Sequence, residues 1–345
     1  MTAHSEAHPL ADAPGRPHLP EHPLISVIVH SFRQRDSIGA CLEAVLAQRL
    51  SPNVQVEVVL ADDGSDDGTV ELLEHQVRQR PWLFRPSFNP HRTQLPAPCT
   101  PGRWTLLRAM YEARGTYVAF IDGDDHWTDP QKLALQLERM EQRPEAGLCV
   151  HDGFDVYADG RTIPYVRARA QRNELPERFT TMDTVLTNYF PKGSMFFRKD
   201  RLPEDRTALE RAPAMDWTLT LLLSLPAPVE YIDRPMCVRR VSDTGIIAAK
   251  APLVKVEWNI RHLELNDRLT SGAHHGTIQR QLIVLHLRAL ELAHRMNDRE
   301  RWSAHLRWCV RHGALGFRAA WRERLALHAP RLLACYSALR GAGRS

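Results

Sequence analysis

The sequence predicts an α/β protein built on a mostly parallel central sheet with helices on both faces, extended on its carboxyl side by a helical region. Three observations predict it. The runs LISVIVHS (24–31), VQVEVVLA (54–61) and TYVAFI (116–121) are almost continuously apolar and of strand length, as in strands covered on both faces. Amphipathic helical stretches alternate with these runs over short links, the pattern of βαβ units. From Pro252 onward only helical spacing remains.

Residues 1–22 are rich in His, Pro and Ala without periodicity and read as a disordered leader. Strand 24–31 leads to a helix over 36–48, where Ile38, Cys41, Leu42, Val45 and Leu46 share a face. Strand 54–61 leads to a helix over 69–80, with Val70, Leu73 and Val77 inward. A helix over 101–114, strand 116–121 and a helix over 130–143 complete a first half, 23–150; the last opens with Pro in its first turn. A second half, 151–250, reads more loosely. Strand 148–157 is followed by a loop over 158–180, a short helix over 182–188, strand 193–198, a helix over 215–225 and strand 229–241. Region 251–345 is helical, with strong amphipathicity over 279–295 and two apolar stripes over 302–340.

At 43% hydrophobic and 25% charged residues the composition is that of an ordinary globular protein. The six cysteines are far apart with no C-x-x-C pair, which predicts reduced thiols. Neither a secretory leader nor a run of about 18 apolar residues occurs. The expectation is therefore a cytoplasmic protein, at most peripheral on the membrane. The net charge of +4 is unevenly placed: residues 276–345 hold 13 Arg, no Lys and four acidic residues, so the remainder is net negative. Basic helices of this kind suit either a solvated helical cap or contact with anionic lipid. No nucleic-acid reading motif accompanies them, which argues against a nucleic-acid partner. No G-x-G-x-x-G follows a strand and no P-loop occurs, so dinucleotide and P-loop chemistry are excluded.

In an open parallel sheet, ligands bind beyond the carboxyl ends of the strands. Two strands here run into acidic clusters, Asp62-Asp63-Gly64-Ser65-Asp66-Asp67 and Asp122-Gly123-Asp124-Asp125. Converging carboxylates repel and call for a cation, and hard oxygen ligands select Mg²⁺ or Mn²⁺. Such an ion with open positions suits a diphosphate, whose charge it neutralises. In the first cluster, Ser65 to Asp67 also suit a turn and the N-cap of the following helix, which leaves Asp63 as the functional candidate. An EF-hand reading fails because a strand, not a helix, enters the loop. Gly123 is expected to let the backbone approach a ligand closely.

These segments resemble the family-2, GT-A-fold glycosyltransferases. The resemblance runs through ISVIVHSF (25–32), VEVVLADDGSDDGT (56–69), the helix 101–114 and GTYVAFIDGDDHWTDPQKLALQLERMEQRPEAGLC (115–149), and continues more weakly to about residue 247. It implies a GT-A catalytic domain over 23–250, with a nucleotide-sugar half and an acceptor half. It also implies a nucleoside-diphosphate-sugar donor, foremost a UDP-sugar, transferred with inversion to a hydroxyl of a glycan, lipid-linked or other acceptor. By the resemblance Asp63 reads the base, His30 and Phe32 line base and ribose, and Arg103 lies near a diphosphate contact. Asp122, Asp124 and Asp125 cover the D-x-D motif, with the later two nearest the Mn²⁺ or Mg²⁺. Asp216, in Ala214-Met215-Asp216-Trp217, matches the general base, although an aspartate at that place also suits a helix N-cap.

Two residues depart from the family pattern. Met215 stands where Glu, Asp or Gly is common, and Ser242 stands where a His often completes the metal site. Arg239 or Arg240 is then a candidate for the diphosphate. No Q-x-x-R-W element occurs, which argues against a processive synthase. The competing readings are a non-catalytic nucleotide-sugar-binding or docking module, and a nucleotidyltransferase. The latter wants glycines after the first strand, where this chain reads HSFRQRDS.

Overall fold

The computed structural model describes residues 8–12, 19, 24–89, 100–171, 174–241 and 251–314, and the chain divides into two units, Met1–Asp243 and Thr244–Ser345. In the first unit the elements begin β1 (His8–Pro9), β2 (Ile25–Ser31), α1 (Arg35–Leu46), β3 (Arg49–Leu50), β4 (Val56–Asp62) and α2 (Thr69–Gln79). They continue β5 (Phe84–Pro86), α3 (Pro101–Glu112), β6 (Tyr117–Asp122), β7 (His126–Trp127), α4 (Lys132–Gln142) and β8 (Leu148–Tyr157). Next come β9 (Thr162–Pro164), α5 (Tyr165–Ala170), β10 (Arg178–Phe179), α6 (Thr181–Leu186) and a 3₁₀ turn at Lys192–Ser194. The unit closes with β11 (Phe196–Arg198), α7 (Thr207–Arg211), α8 (Met215–Ser224) and β12 (Val229–Val241).

Ten strands form one sheet in the order β10-β12-β8-β11-β6-β2-β4-β5, with β7 on β12 and β9 on β8. The strands β6, β2, β4 and β5 are mutually parallel. Beyond them β11 runs antiparallel between β6 and β8, with Phe196 opposite both Ala119 and Cys149. Strand alternation fixes two cores. Val27, Val29, Val58, Leu60, Ala119 and Ile121 face α1, α2 and α4 through Ile38, Leu42, Leu73, Leu133 and Leu137. Ile28, Val59, Val118 and Phe120 face α3 and α8 through Leu106, Met110, Leu219 and Leu223. Helices therefore cover both faces, as the near-continuous apolar strands require.

Register brings the ends of three strands level. His30 pairs with Ala61 on one side and Asp122 on the other, and Ser31 pairs with Asp62. Both acidic loops thus leave the sheet at one edge, flanking the end of β2.

Several expectations change. The loop expected over 158–180 contains β9, α5 and β10. These elements are two to six residues long, too short for a period to show, and Pro164 at φ −58° sets the start of α5. Within the expected disordered leader, His8–Pro9 pairs with Arg49–Leu50 and Leu10 is buried. Its single apolar side chain gives the segment a place in the core. Most of the rest of 1–22 lies outside the described residues. So do Ser242 and the apolar stripe beyond residue 314.

The second unit contains α9 (Pro252–Leu269), α10 (His275–Arg295) and α11 (Arg299–Arg311). α10 buries Ile278, Leu282, His286, Ala289, Leu290 and Ala293, the stripe its amphipathic sequence predicts. Asp298 caps α11 by accepting the Arg301 backbone N–H at 3.1 Å. His286 and His305 take buried positions between these helices. The His286 ring stacks on Trp308 at 3.7 Å, and its Nδ1 lies 3.0 Å from Nδ1 of His305. Burial, with His305 and His312 nearby, pushes the His286 imidazole down to about 3. Arg288 and Arg295 pair with Glu291, and Arg301 with Glu257 and Asp298. Among the described residues, no helix is long and apolar enough to cross a membrane.

Candidate active site

The loop after β4 is held largely by itself. Asp62 is buried and accepts bonds from the Ser31 hydroxyl, the Ser65 hydroxyl and the Ser65 N–H, each at 2.7 Å. Asp66 meets Arg33 through two bonds of 2.7 Å. Asp67 accepts the Thr69 hydroxyl at 2.6 Å and the Thr69 N–H at 3.1 Å, tying the first turn of α2. Of the residues expected to serve the turn and cap, Asp67 is the one that bonds the start of α2. Gly68 occupies the N-cap position itself, at φ 95°, where a side chain is strained.

Asp63 alone in this loop turns to α3. It is fully buried, and its Oδ1 accepts the Thr105 hydroxyl at 2.6 Å and the Asn89 amide at 3.3 Å. Thr105 and Asn89 were not legible as partners, because they belong to segments distant in sequence. Phe32 is partly buried, with the Arg33 guanidinium 5.3 Å from its ring centre.

The second cluster is wired differently. Asp122 Oδ1 faces Nδ1 of His30 at 3.3 Å and forms an ion pair with Nζ of Lys192. Burial alone would raise the Asp122 carboxyl, but Lys192 and His30 outweigh it and hold it below its ordinary value. Asp124 is raised, first by burial and then by the Asp122 charge. Asp125 is raised well above the usual range by burial, Asp122 and Asp124, although it accepts the Arg240 backbone N–H at 2.9 Å. The His30 ring packs over Gly102 at the start of α3, where a Cβ would lie 3.5 Å from it. Gly123 has a steric reason of its own: a Cβ there would meet Gln34 Oε1 at 2.5 Å and Ile38 Cδ1 at 2.6 Å. The glycine lets this loop pack against α1.

Asp124 and Asp125 fit a hard divalent cation. Both are carboxylates disfavoured as anions by burial and by the Asp122 charge, and Asp125 by Asp124 as well, a strain that a bound cation relieves. Among the described residues no three His, Cys, Asp or Glu side chains converge into a complete ligand set.

Asp216 lies in the first turn of α8 and is partly buried. The Asn188 amide donates to its Oδ2 at 2.9 Å. Met215 beside it is buried in the core under α8, which explains the apolar residue at that place. Trp217 is buried, with its indole N–H on the Thr184 carbonyl at 2.7 Å. Arg103 reaches across to the segment before α8, donating to the carbonyls of Glu210 at 2.7 Å and Pro213 at 3.5 Å. Arg239 forks onto buried Asp155 at 2.7 and 3.0 Å, while Arg240 is exposed.

Lys192 is the site residue that sequence reasoning missed. Its only signal was a lone lysine ahead of a buried strand.

The glycosyl transferase family 2 profile matches residues 26–201, half of the chain, and the chain belongs to that family. An uncharacterised protein of Mycobacterium tuberculosis is 28% identical over 227 residues, which cover 64% of this chain and 60% of the relative. The chain thus spans about three fifths of the length of that relative. Two solved structures share the fold. Staphylococcus aureus TarS 1–349 in complex with UDP-GlcNAc superposes with a TM-score of 0.58 at 19% identity, covering 90% of this chain and 87% of that one. The mannosyltransferase PcManGT of Pyrobaculum calidifontis, solved with GDP-Man and Mn²⁺, gives 0.56 at 18% identity, covering 95% and 86%. The architecture is the GT-A glycosyltransferase fold.

Proposed function

We propose that this chain is an inverting glycosyltransferase that moves a sugar from a nucleoside-diphosphate donor to an acceptor hydroxyl. One observation carries the proposal: Asp63, His30 and the Asp122–Asp125 carboxylates leave three adjacent parallel strands at one level edge. The nucleotide-sugar complexes of the two structural relatives support it.

A buried carboxylate accepts hydrogen bonds, so Asp63 suits the ring N–H of uracil, or of guanine, over the ring acceptors of cytosine or adenine. A UDP-sugar is the first choice. His30 and Phe32 would line the base and ribose, and Asp122 would meet the ribose or diphosphate. Asp124 and Asp125 would hold a divalent ion, which when bound neutralises charge on the leaving diphosphate. Asp216 would take the acceptor proton as the hydroxyl oxygen attacks the anomeric carbon and the bond to the diphosphate breaks. Asn188 fixes one carboxylate oxygen and leaves the other to face the acceptor. Arg103 would act by positioning the segment that begins α8, and Arg240 is the arginine with a free reach to phosphate. Contact of the Arg-rich helices with anionic lipid belongs to the same proposal, and flotation with phosphatidylglycerol vesicles tests it.

The first experiment is a thermal-shift screen of UDP, GDP, dTDP and CDP with and without Mn²⁺. A ligand that binds only the folded state raises its melting temperature, and no acceptor is needed. A Mn²⁺-dependent shift with UDP is expected, kept in Asp216→Asn while turnover is lost. No shift with any nucleotide overturns the reading.

A further inference from the structure

Lys192 stands in the middle of the acidic edge, and its placement is firmly built. The 3₁₀ turn that carries it is pinned from two sides: the Trp127 indole donates to the Gly193 carbonyl at 2.9 Å, and the Gln136 amide to the Ser194 carbonyl at 2.8 Å. Trp127, Gln136 and Ser194 are all buried. The Ser194 hydroxyl closes the turn on the Pro191 carbonyl at 2.7 Å. The lysine side chain itself is only 17% exposed. It is not a surface lysine that reaches a carboxylate by chance.

The charges give the turn a purpose. Asp122, Asp124 and Asp125 bring three negative charges into four residues, and Lys192 returns one positive charge. The remainder, two negative charges, equals one divalent cation. Lys192 and His30 both engage the same oxygen, Oδ1 of Asp122. That oxygen is thereby occupied by two donors of this chain, while the Asp122 charge still raises Asp124 and Asp125.

We propose that Lys192 is a built-in counter-cation that takes Asp122 out of metal binding, so that a divalent ion is held weakly by Asp124 and Asp125 alone until a diphosphate completes its shell. The inference rests on the reading of this edge as a sugar-donor site. Its logic is that a fixed ammonium and a divalent ion compete for the same carboxylate. Two close charges in a partly buried site interact strongly enough to move an affinity by an order of magnitude. Weak metal binding in the empty site leaves the diphosphate to bring the ion in, so metal and sugar donor bind cooperatively.

The test uses the full chain without nucleotide. Mn²⁺ is titrated and the free ion counted by electron paramagnetic resonance, in wild type, Lys192→Met, Lys192→Arg and the double variant Lys192→Met with Asp122→Asn. Lys192→Met is expected to bind Mn²⁺ on the order of tenfold more tightly than wild type. Lys192→Arg keeps the charge and stays near wild type. The double variant, which lacks the released carboxylate, returns toward wild type. Circular dichroism melts show that each variant is folded, and Lys192→Gln replaces Met if that variant is not. Unchanged or weaker Mn²⁺ binding in folded Lys192→Met or Lys192→Gln overturns the proposal. So does loss of UDP binding in that variant with Mn²⁺ affinity unchanged, which would make Lys192 a direct ligand contact. Failure of the broader reading looks different, because wild type would then give no shift with any nucleotide.

Discussion

The two acidic loops look alike in sequence and differ in how their charges are compensated. In the loop after β4, Asp62, Asp66 and Asp67 are matched inside the loop, by the end of β2 and the link that follows it, or by α2, through serines, a threonine and Arg33. Only Asp63 turns away, to α3. In the loop after β6, Lys192 compensates one carboxylate, and Asp124 and Asp125 stay raised by burial and by their neighbours. The first loop is a turn from which one candidate side chain departs. The second is a candidate site under electrostatic tension. Carboxylates matched by donors build structure, and carboxylates raised by their neighbours are the ones a cation would relieve.

The largest expected effect breaks the second loop. Asp124→Ala should lower turnover on the order of 100-fold and abolish the Mn²⁺-dependent nucleotide shift. The ligand-free protein should melt at the wild-type temperature or higher, because a repelling charge is gone. A large drop in stability would show instead that Asp124 builds the fold. The reverse experiment is Asp62→Ala, which strands two serine hydroxyls and the half-buried Ser65 N–H. It should cost about 2 kcal/mol in urea denaturation, a loss of fold first and of binding second.

A smaller effect sharpens the contrast through pH. Burial would raise the Asp67 carboxyl, but the Thr69 hydroxyl and the Arg35 and Thr69 N–H groups together hold it below its usual 3.8. A depressed carboxyl stabilises the fold fully above its unfolded value, and that contribution fades as pH falls through the folded value. Wild type should therefore melt above Asp67→Asn at pH 6, with the gap shrinking at pH 3. The smallest effect is at Asp66, an exposed partner of Arg33. Asp66→Ala should leave melting temperature and nucleotide binding unchanged, since exposed ion pairs contribute little.

Much of this was written locally. The apolar runs gave β2, β4 and β6, and their abrupt change to aspartate marked the edge where the two acidic loops leave the sheet. Asp216 was singled out only through the family resemblance of Ala214-Met215-Asp216-Trp217, since an aspartate opening an apolar helix suits an N-cap equally well. Lys192 was not, because its partner lies 70 residues away and only the sheet order brings them together. Thr105 and Asn89 escaped for the same reason, as their bonds to Asp63 span 42 and 26 residues. The missed β9, α5 and β10 are too short to repeat a pattern. Gly123 was read through its backbone, whereas the side chains of α1 are what require it.

One further consequence follows from α3. Thr105 on this helix holds Asp63, Gly102 lies under His30, and Arg103 fastens the same helix to the carbonyls just before α8. On the proposed reading, a nucleotide settling against Asp63 and His30 would lean on a rod that is bolted to the segment carrying Asp216. Such wiring would favour a fixed sequence of arrivals, sugar donor before acceptor. In steady-state kinetics it would appear as a nucleoside diphosphate product that competes with the sugar donor and is noncompetitive toward the acceptor.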